Sequence, residues 1–289
     1  FGLCCYMLGQ VDRAKAAFRR AHDLDPENVA AMVGIAILDL AGRDENSKDF
    51  NIVTERAIKL LSRAHMVDHS NAMVQNHLAN HYFWKWSQVP GTVSIKQNTN
   101  VVVGSVMMVL DPGEKIRIGN EFETSVSEDE SSSGRGGGGV LEGGGTTEFR
   151  INSLWTEKSA TGMKLWKKDY ERVTALAKGA YNSTSERSIQ AESLFTLARV
   201  YHVREDYDNA KKYYESACKL APQLSPARFG LAQTFMREER YDEASAHLQI
   251  VLGTNPSATD ALATLGLLGV KKGVDYEKAL GYLKKAVDL

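Results

Sequence analysis

Seven histidines and three cysteines are the side chains of this chain best suited to hold a metal or act as nucleophiles, and their spacing builds neither kind of site. His77 and His81 stand four apart, which puts two imidazoles on one helix face and suits a zinc ion. No glutamate lies between them in the H-E-x-x-H manner and no third ligand accompanies them, so ordinary half-buried histidines are expected. Cys4 and Cys5 are adjacent, and Cys218 falls in a helical apolar stripe. That is cysteine used as a small hydrophobe in a reduced compartment. The run Gly136 to Gly139 is followed by no lysine with Ser or Thr and opens no helix, unlike a phosphate-binding loop. Asn182-Ser-Thr184 has the form of a glycosylation acceptor, but a reduced intracellular chain would not meet that machinery. The expectation is a non-enzyme, with no catalytic residue, cofactor, metal or small-molecule substrate.

Charge excludes little but points the same way. Thirty-five basic against 36 acidic residues leave a net charge of −1, which gives no electrostatic reason for nucleic acid or an anionic membrane as main partner. No apolar run reaches the roughly 18 residues of a membrane span, and no signal peptide precedes the first helix pattern. The chain opens inside one helix pattern at Phe1 and closes inside another at Leu289, as expected of a piece of a longer protein.

The elements that carry these residues recur. Ala210 and Ala244 are 34 residues apart, each followed four residues on by a bulky residue (Tyr214, Leu248) and seven on by a small or apolar one (Ala217, Val251). The same set returns as Ala14, Phe18, Ala21 and as Ala279, Leu283, Ala286. This is the pattern of tetratricopeptide repeats, helical hairpins whose small residues let neighbouring helices approach. Six units follow, the first lacking most of its opening helix and the sixth cut short. The second carries nine extra residues in its turn (AGRDENSKD), where added chain costs little.

The third unit is split more deeply. Its first helix runs from Ala72 to about Lys85 and its second resumes at Tyr170, with residues 86–167 lodged in the turn. Short strand-like runs fill this insert: Thr92 to Lys96, Val101 to Val103, Val106 to Leu110, Lys115 to Ile118 and Thr147 to Ile151, punctuated by Asn98-Thr-Asn100, Asp111-Pro-Gly-Glu114 and Gly119-Asn120. Such alternation and punctuation predict a four- or five-stranded barrel or sandwich. Residues 127–145 (SEDESSSGRGGGGVLEGGG) hold almost no apolar side chain and are expected to form a disordered loop. Ser127 to Ser133 is a candidate phosphorylation cluster, and Arg135-Gly-Gly137 is a single arginine-glycine triplet, better read as linker than as an RNA-binding segment. Lys96, Lys115, Arg117 and Arg150 are scattered among acids, so no salt-dependent RNA binding by the insert is expected.

The fold class is therefore all-α: a tetratricopeptide superhelix over residues 1–85 and 168–289, with a small β-rich insert at 86–167. In such a stack the first helices line a concave surface at positions 2, 5, 9, 12 and 13 of each unit. The third unit presents Asn76, Asn80, Phe83 and Trp84 there, the fourth Phe195, Arg199 and His202, the fifth Phe229, Gln233, Met236 and Arg237. Aromatics and arginines beside amides suit an extended or helical peptide, though the aromatics also suit packing between hairpins. The lysine-and-asparagine set by which some tetratricopeptide domains hold a chaperone's C-terminal carboxylate is absent, which argues against a co-chaperone.

Two stretches exceed the generic repeat. LLSRAHMVDHSNAMVQNHLANHYFWK (60–85) and QAESLFTLARVYHVREDYDNAKKYYESACKLAP (190–222), with KDYERV between them and FGLAQ just after, closely resemble the tetratricopeptide scaffold subunit of the RNA polymerase II-associated factor (PAF) elongation complex. Their identities fall at positions the repeat leaves open. The resemblance implies a nuclear scaffold whose partners are the other PAF subunits and elongating RNA polymerase II, supporting co-transcriptional histone H2B ubiquitylation and histone H3 methylation. The insert departs from that family. The alternative is a helical substrate- or partner-binding arm of a larger enzyme such as a glycosyltransferase.

Overall fold

A computed structural model of the chain describes residues 2–42, 48–106, 108, 110, 114–127, 147–273 and 276–289. It resolves into two compact units, Phe1–His81 with Arg172–Leu289, and Tyr82–Glu171. The expected loop at 127–145 lies, from residue 128 on, outside the described residues, as does most of the expected turn insertion of the second repeat.

The first unit is helical throughout its described residues. Six hairpins follow one another: α1 (Gly2–Met7) with α2 (Val11–Leu24), α3 (Val29–Ala41) with α4 (Phe50–Val67), α5 (Ala72–Trp84) with α6 (Tyr170–Asn182), α7 (Arg187–Val203) with α8 (Tyr207–Leu220), α9 (Ser225–Arg237) with α10 (Tyr241–Thr254), and α11 (Thr259–Lys272) with α12 (Tyr276–Val287). From α1 to α4 and from α7 to α12, each helix packs on the next in sequence. The chain leaves α5 for the second unit and returns in α6. Side chains of Asn28 and Asp206 accept hydrogen bonds from the backbone N–H of Ala31 and Asn209, starting α3 and α8, and so satisfy amides that a helix start leaves open.

The alanine register is a packing register. Ala14, Ala57, Ala210 and Ala244 are wholly buried and Ala279 nearly so, because only a methyl group fits where the two helices of a hairpin cross. The turn between them has its own mark. Glu205, Glu239 and Gly273, each 34 residues from the next, hold left-handed φ of 64°, 58° and 65°, and Gly9 plays that part in the first hairpin at φ 71°. Between hairpins, size matches size. A Cβ on Gly34 would stand 2.6 Å from the Phe18 ring, and one on Gly230 would stand 2.5 Å from Cε1 of Tyr214. The large residue of one hairpin thus seats on bare backbone of the next.

One ionic contact ties the first two hairpins. Asp39 is buried, paired with Lys15 at 2.8 Å and accepting from Arg56 Nε at 3.1 Å and Nη2 at 2.5 Å. Burial alone would raise its pKa, but the Lys15 and Arg56 hydrogen bonds and charges outweigh that and hold it below the ordinary value.

The second unit is a six-stranded antiparallel sheet, one or two strands more than the sequence predicts. Its strands are β1 (Trp86–Ile95), β2 (Thr99–Gly104), β3 (Lys115–Ile118), β4 (Phe122–Ser125), β5 (Thr147–Trp155) and β6 (Ala160–Lys168), in the order β4-β3-β6-β1-β2-β5. The outer strands meet: Val126 bridges Ile151, and Ser127 N–H donates to Arg150 O at 2.8 Å. The sheet therefore closes on itself as a barrel at this point. Its inside is filled by Val93, Val102, Ile116, Ile118, Ile151 and Leu165 among others. β1 bends where Val89 to Val93 oppose only Leu165 to Met163. Pro90 and Gly91 form that bulge, Gly91 at φ 87° and with no room for a Cβ against Val106. The expected strand Val106–Leu110 is not a strand where it is described; Met108 and Leu110 are buried as core residues of the connecting segment.

Candidate partner-binding groove

The first helices of four hairpins line a cavity of about 630 Å³ within the helical unit. Leu3 and Tyr6 come from α1, Val33 and Ile37 from α3, Met73 from α5 and Ile189 from α7. One rim is polar: Asp68, Ser70 and Asn71 before α5, with Ser183 and Thr184 before α7. Leu3 is 64% exposed, Tyr6 43% and Met73 40%. These are large apolar side chains facing solvent in a concave place, the arrangement that takes apolar anchors of a partner segment.

Asp68 anchors the polar rim. Its carboxylate accepts from Ser70 N–H at 3.0 Å and from the Ser70 hydroxyl at 2.7 Å, and these bonds lower its pKa. It therefore stays an anion at neutral pH beside the apolar floor. His65 and His69 stand near by, ring centroids 5.0 Å apart. Burial and then the charges of His69 and Arg172 push the His65 pKa down, with Asp68 opposing.

The residues expected to line the groove do not all act alike. Asn80, Phe195 and Arg199 come together: Arg199 Nη1 donates to Asn80 Oδ1 at 3.1 Å, and its guanidinium lies 5.1 Å from the Phe195 ring. His202 and Arg237 meet around Tyr207, whose ring stands edge-on to His202 at 5.4 Å and under Arg237 at 4.0 Å, while Arg237 Nη2 donates to the Tyr207 hydroxyl at 2.6 Å. Burial, then the Arg237 charge, lowers the His202 pKa, so a neutral imidazole stands beside the guanidinium. Burial pushes the neighbouring Tyr214 pKa up to about 12, with Arg199 opposing.

Asn76 does something else. It is 5% exposed, donates to Ile189 O at 3.0 Å and accepts from the Ser193 hydroxyl at 2.9 Å; it fastens α5 to α7. Phe229 and Met236 are half-buried and Gln233 is exposed on α9. Phe83 and Trp84 belong to the barrel-containing unit, Phe83 buried against Trp84 and Tyr170 at 5.1 and 5.6 Å, and Trp84 66% exposed. The apolar pocket itself went unnoticed in the sequence. Its residues Val33 and Ile37 hold positions 5 and 9 of the second unit, so the register that marks Phe195 and Arg199 would have found them.

Metal-binding side chains do not cluster: among the described residues no group of three or more His, Cys, Asp or Glu converges. His77 is largely buried, and that burial lowers its pKa. No helix of the described residues is long and apolar enough to cross a membrane.

Comparison with known proteins agrees with the register. Residues 204–268 match the tetratricopeptide repeat. The hairpins outside that span repeat its buried small residues and, at Gly9 and Gly273, its left-handed turns. A solved structure of similar fold is the APC/C hetero-tetramer Cut9–Hcn1, with a TM-score of 0.59 at 10% identity over 99% of this chain and 38% of that one. By sequence the chain is similar to the protein CTR9 homolog of Arabidopsis thaliana, 25% identical over 293 residues, which span all of this chain and 19% of the relative. It is likewise similar to the RNA polymerase-associated protein CTR9 of Caenorhabditis elegans, 24% identical over 92% of this chain and 16% of the relative. The resemblance read from the non-consensus positions is thus to CTR9 proteins, and the chain spans about a fifth of the length of those curated relatives.

Proposed function

We propose that this chain is a section of a non-catalytic scaffold in the nuclear PAF transcription elongation complex, holding segments of partner subunits along the groove of its first helices. The observation that carries this is the apolar cavity formed by α1, α3, α5 and α7 in a chain similar throughout to CTR9 proteins. A partner helix or strand would place aliphatic anchors on Val33, Ile37 and Met73 and a basic residue beside Asp68. Further along, Asn80 with Arg199 and His202 with Arg237 would meet the backbone and acidic side chains of the same or another segment. RNA polymerase II is reached through that complex, and support of elongation and of histone modification follows from assembly and not from chemistry in this chain. The enzyme-arm alternative is not favoured by relatives that are CTR9 proteins.

Co-expression of the chain with the other PAF subunits, followed by affinity capture and cross-linking, tests this. Recovery of at least one subunit with cross-links to the α1–α3–α5 face is expected. Capture that recovers no subunit contradicts the proposal.

A further inference from the structure

The barrel's outer face gathers charges that the sequence keeps apart. Ile116, Ile118 and Leu165 point inward, so alternation sends Lys115 and Arg117 of β3, Lys164, Trp166 and Lys168 of β6 and Trp86 of β1 outward. The ladder sets Arg117 across from Trp166 and Lys168 across from Trp86. The Arg117 guanidinium lies 5.0 Å from the Trp86 ring and 5.4 Å from the Trp166 ring. The Lys168 ammonium lies 4.4 Å over Trp86 and donates to Trp84 O at 2.6 Å. Beside Arg117, Lys164 and Lys168 stands one acid on the neighbouring strand, Glu123, the ladder partner of Arg117.

Cation–π contacts of this kind stabilise a sheet surface, which accounts for the stacking but not for the charge. Arg117 Nε is buried without a hydrogen-bond partner, and among the described residues Arg117 forms no ion pair. Two indoles fix the plane of the guanidinium and bury its Nε, which leaves the terminal Nη groups as the route to an anion. We propose that this face docks an acidic, extended segment of a partner protein, with one carboxylate on the edge of Arg117 and a second beside Lys164. The cations already cover the indole faces on which nucleic-acid bases would stack, whereas a carboxylate needs only the Nη groups at the tip of the guanidinium. Lys168 supports this: burial, then Arg117, lowers its pKa while Glu123 opposes, and an arriving anion relieves the repulsion between the two cations.

The test is fluorescence anisotropy of the whole 289-residue chain with a labelled glutamate oligomer, at low and high salt, and with a labelled thymidine oligonucleotide as competitor. Peptide binding that weakens with salt, falls roughly fivefold in Arg117→Gln and Arg117→Lys, and is unchanged in Arg63→Gln is expected. Arg117→Lys keeps the charge and the cation–π contact, so its loss isolates the guanidinium fork and guards against misfolding of the glutamine variant. Peptide affinity equal in wild type and both Arg117 variants overturns the proposal. So does an oligonucleotide that binds more tightly and displaces the peptide, which would make the face a nucleic-acid surface.

Discussion

The helical stack and the barrel solve the same problem, burying apolar surface, by opposite routes. In the stack each residue meets partners a turn, a hairpin or one 34-residue period away, so Ala210 and Ala244 pack alike because their surroundings repeat. In the barrel the closing contact joins Val126 to Ile151, and β1 pairs with β6 across most of the insert. A stack tolerates interruption in a hairpin turn, since its contacts are local. A barrel does not, because every strand completes the sheet for all the others.

Spectroscopy can separate the two. All four tryptophans (Trp84, Trp86, Trp155, Trp166) lie in the barrel-containing unit, so tryptophan fluorescence follows that unit while circular dichroism at 222 nm follows the helices. Leu165→Ala empties a fully buried site at the centre of the sheet and is expected to cost about 3 kcal/mol, read as an earlier fluorescence transition with the helical one in place. A common shift of both transitions would break the comparison. Gly230→Ala forces a methyl group into the Tyr214 ring and should destabilise the helical transition by about 2 kcal/mol. Tyr214→Leu in the same chain should recover most of that loss; if it adds to it, the size matching between hairpins is wrong.

Acid supplies a smaller effect. The folded pKa of Asp39 is lowered, so its stabilisation is complete above the unfolded value of about 3.9 and is lost as pH falls through the folded value. Asp39→Asn should therefore cost about 1.5 kcal/mol at pH 7 and make little difference once both carboxyl forms are protonated, measured as the wild-type-minus-variant difference in helical melting across pH. The smallest effect is expected at the turn. Glu239 holds a left-handed φ of 58°, where glycine is at ease, and Glu239→Gly should raise stability by roughly 0.5 kcal/mol after its entropy loss, whereas a decrease would show that the glutamate side chain contributes more than its backbone strain costs.

The same contrast explains what the sequence made legible. Hairpin order, the split third repeat and the buried alanines could be read because local spacing determines them. β4 and β6 could not. Phe122–Ser125 is four residues long, and alternation in β6 is interrupted at Gly162, which takes φ 70°. Val106 to Leu110 read as strand because it is apolar, yet Met108 and Leu110 are apolar for burial alone. In the groove, position in the register placed Asn80 and Arg199 together but did not reveal that Asn76 is consumed by Ile189 and Ser193, because the register fixes which positions meet and not which side chains bond to each other there. The cationic face of the barrel was hidden for the same reason: β3 and β6 bring Arg117 and Trp166 together from 49 positions apart (166 − 117).

The most direct test of the scaffold reading is the effect of Ile37→Asp, on the groove face of α3, on capture of the partner subunits. The account predicts that the variant keeps its helical melting transition within about 1 kcal/mol and loses the partner segment seated on the α1–α3–α5 face. Full retention of every partner by a folded Ile37→Asp chain would contradict it.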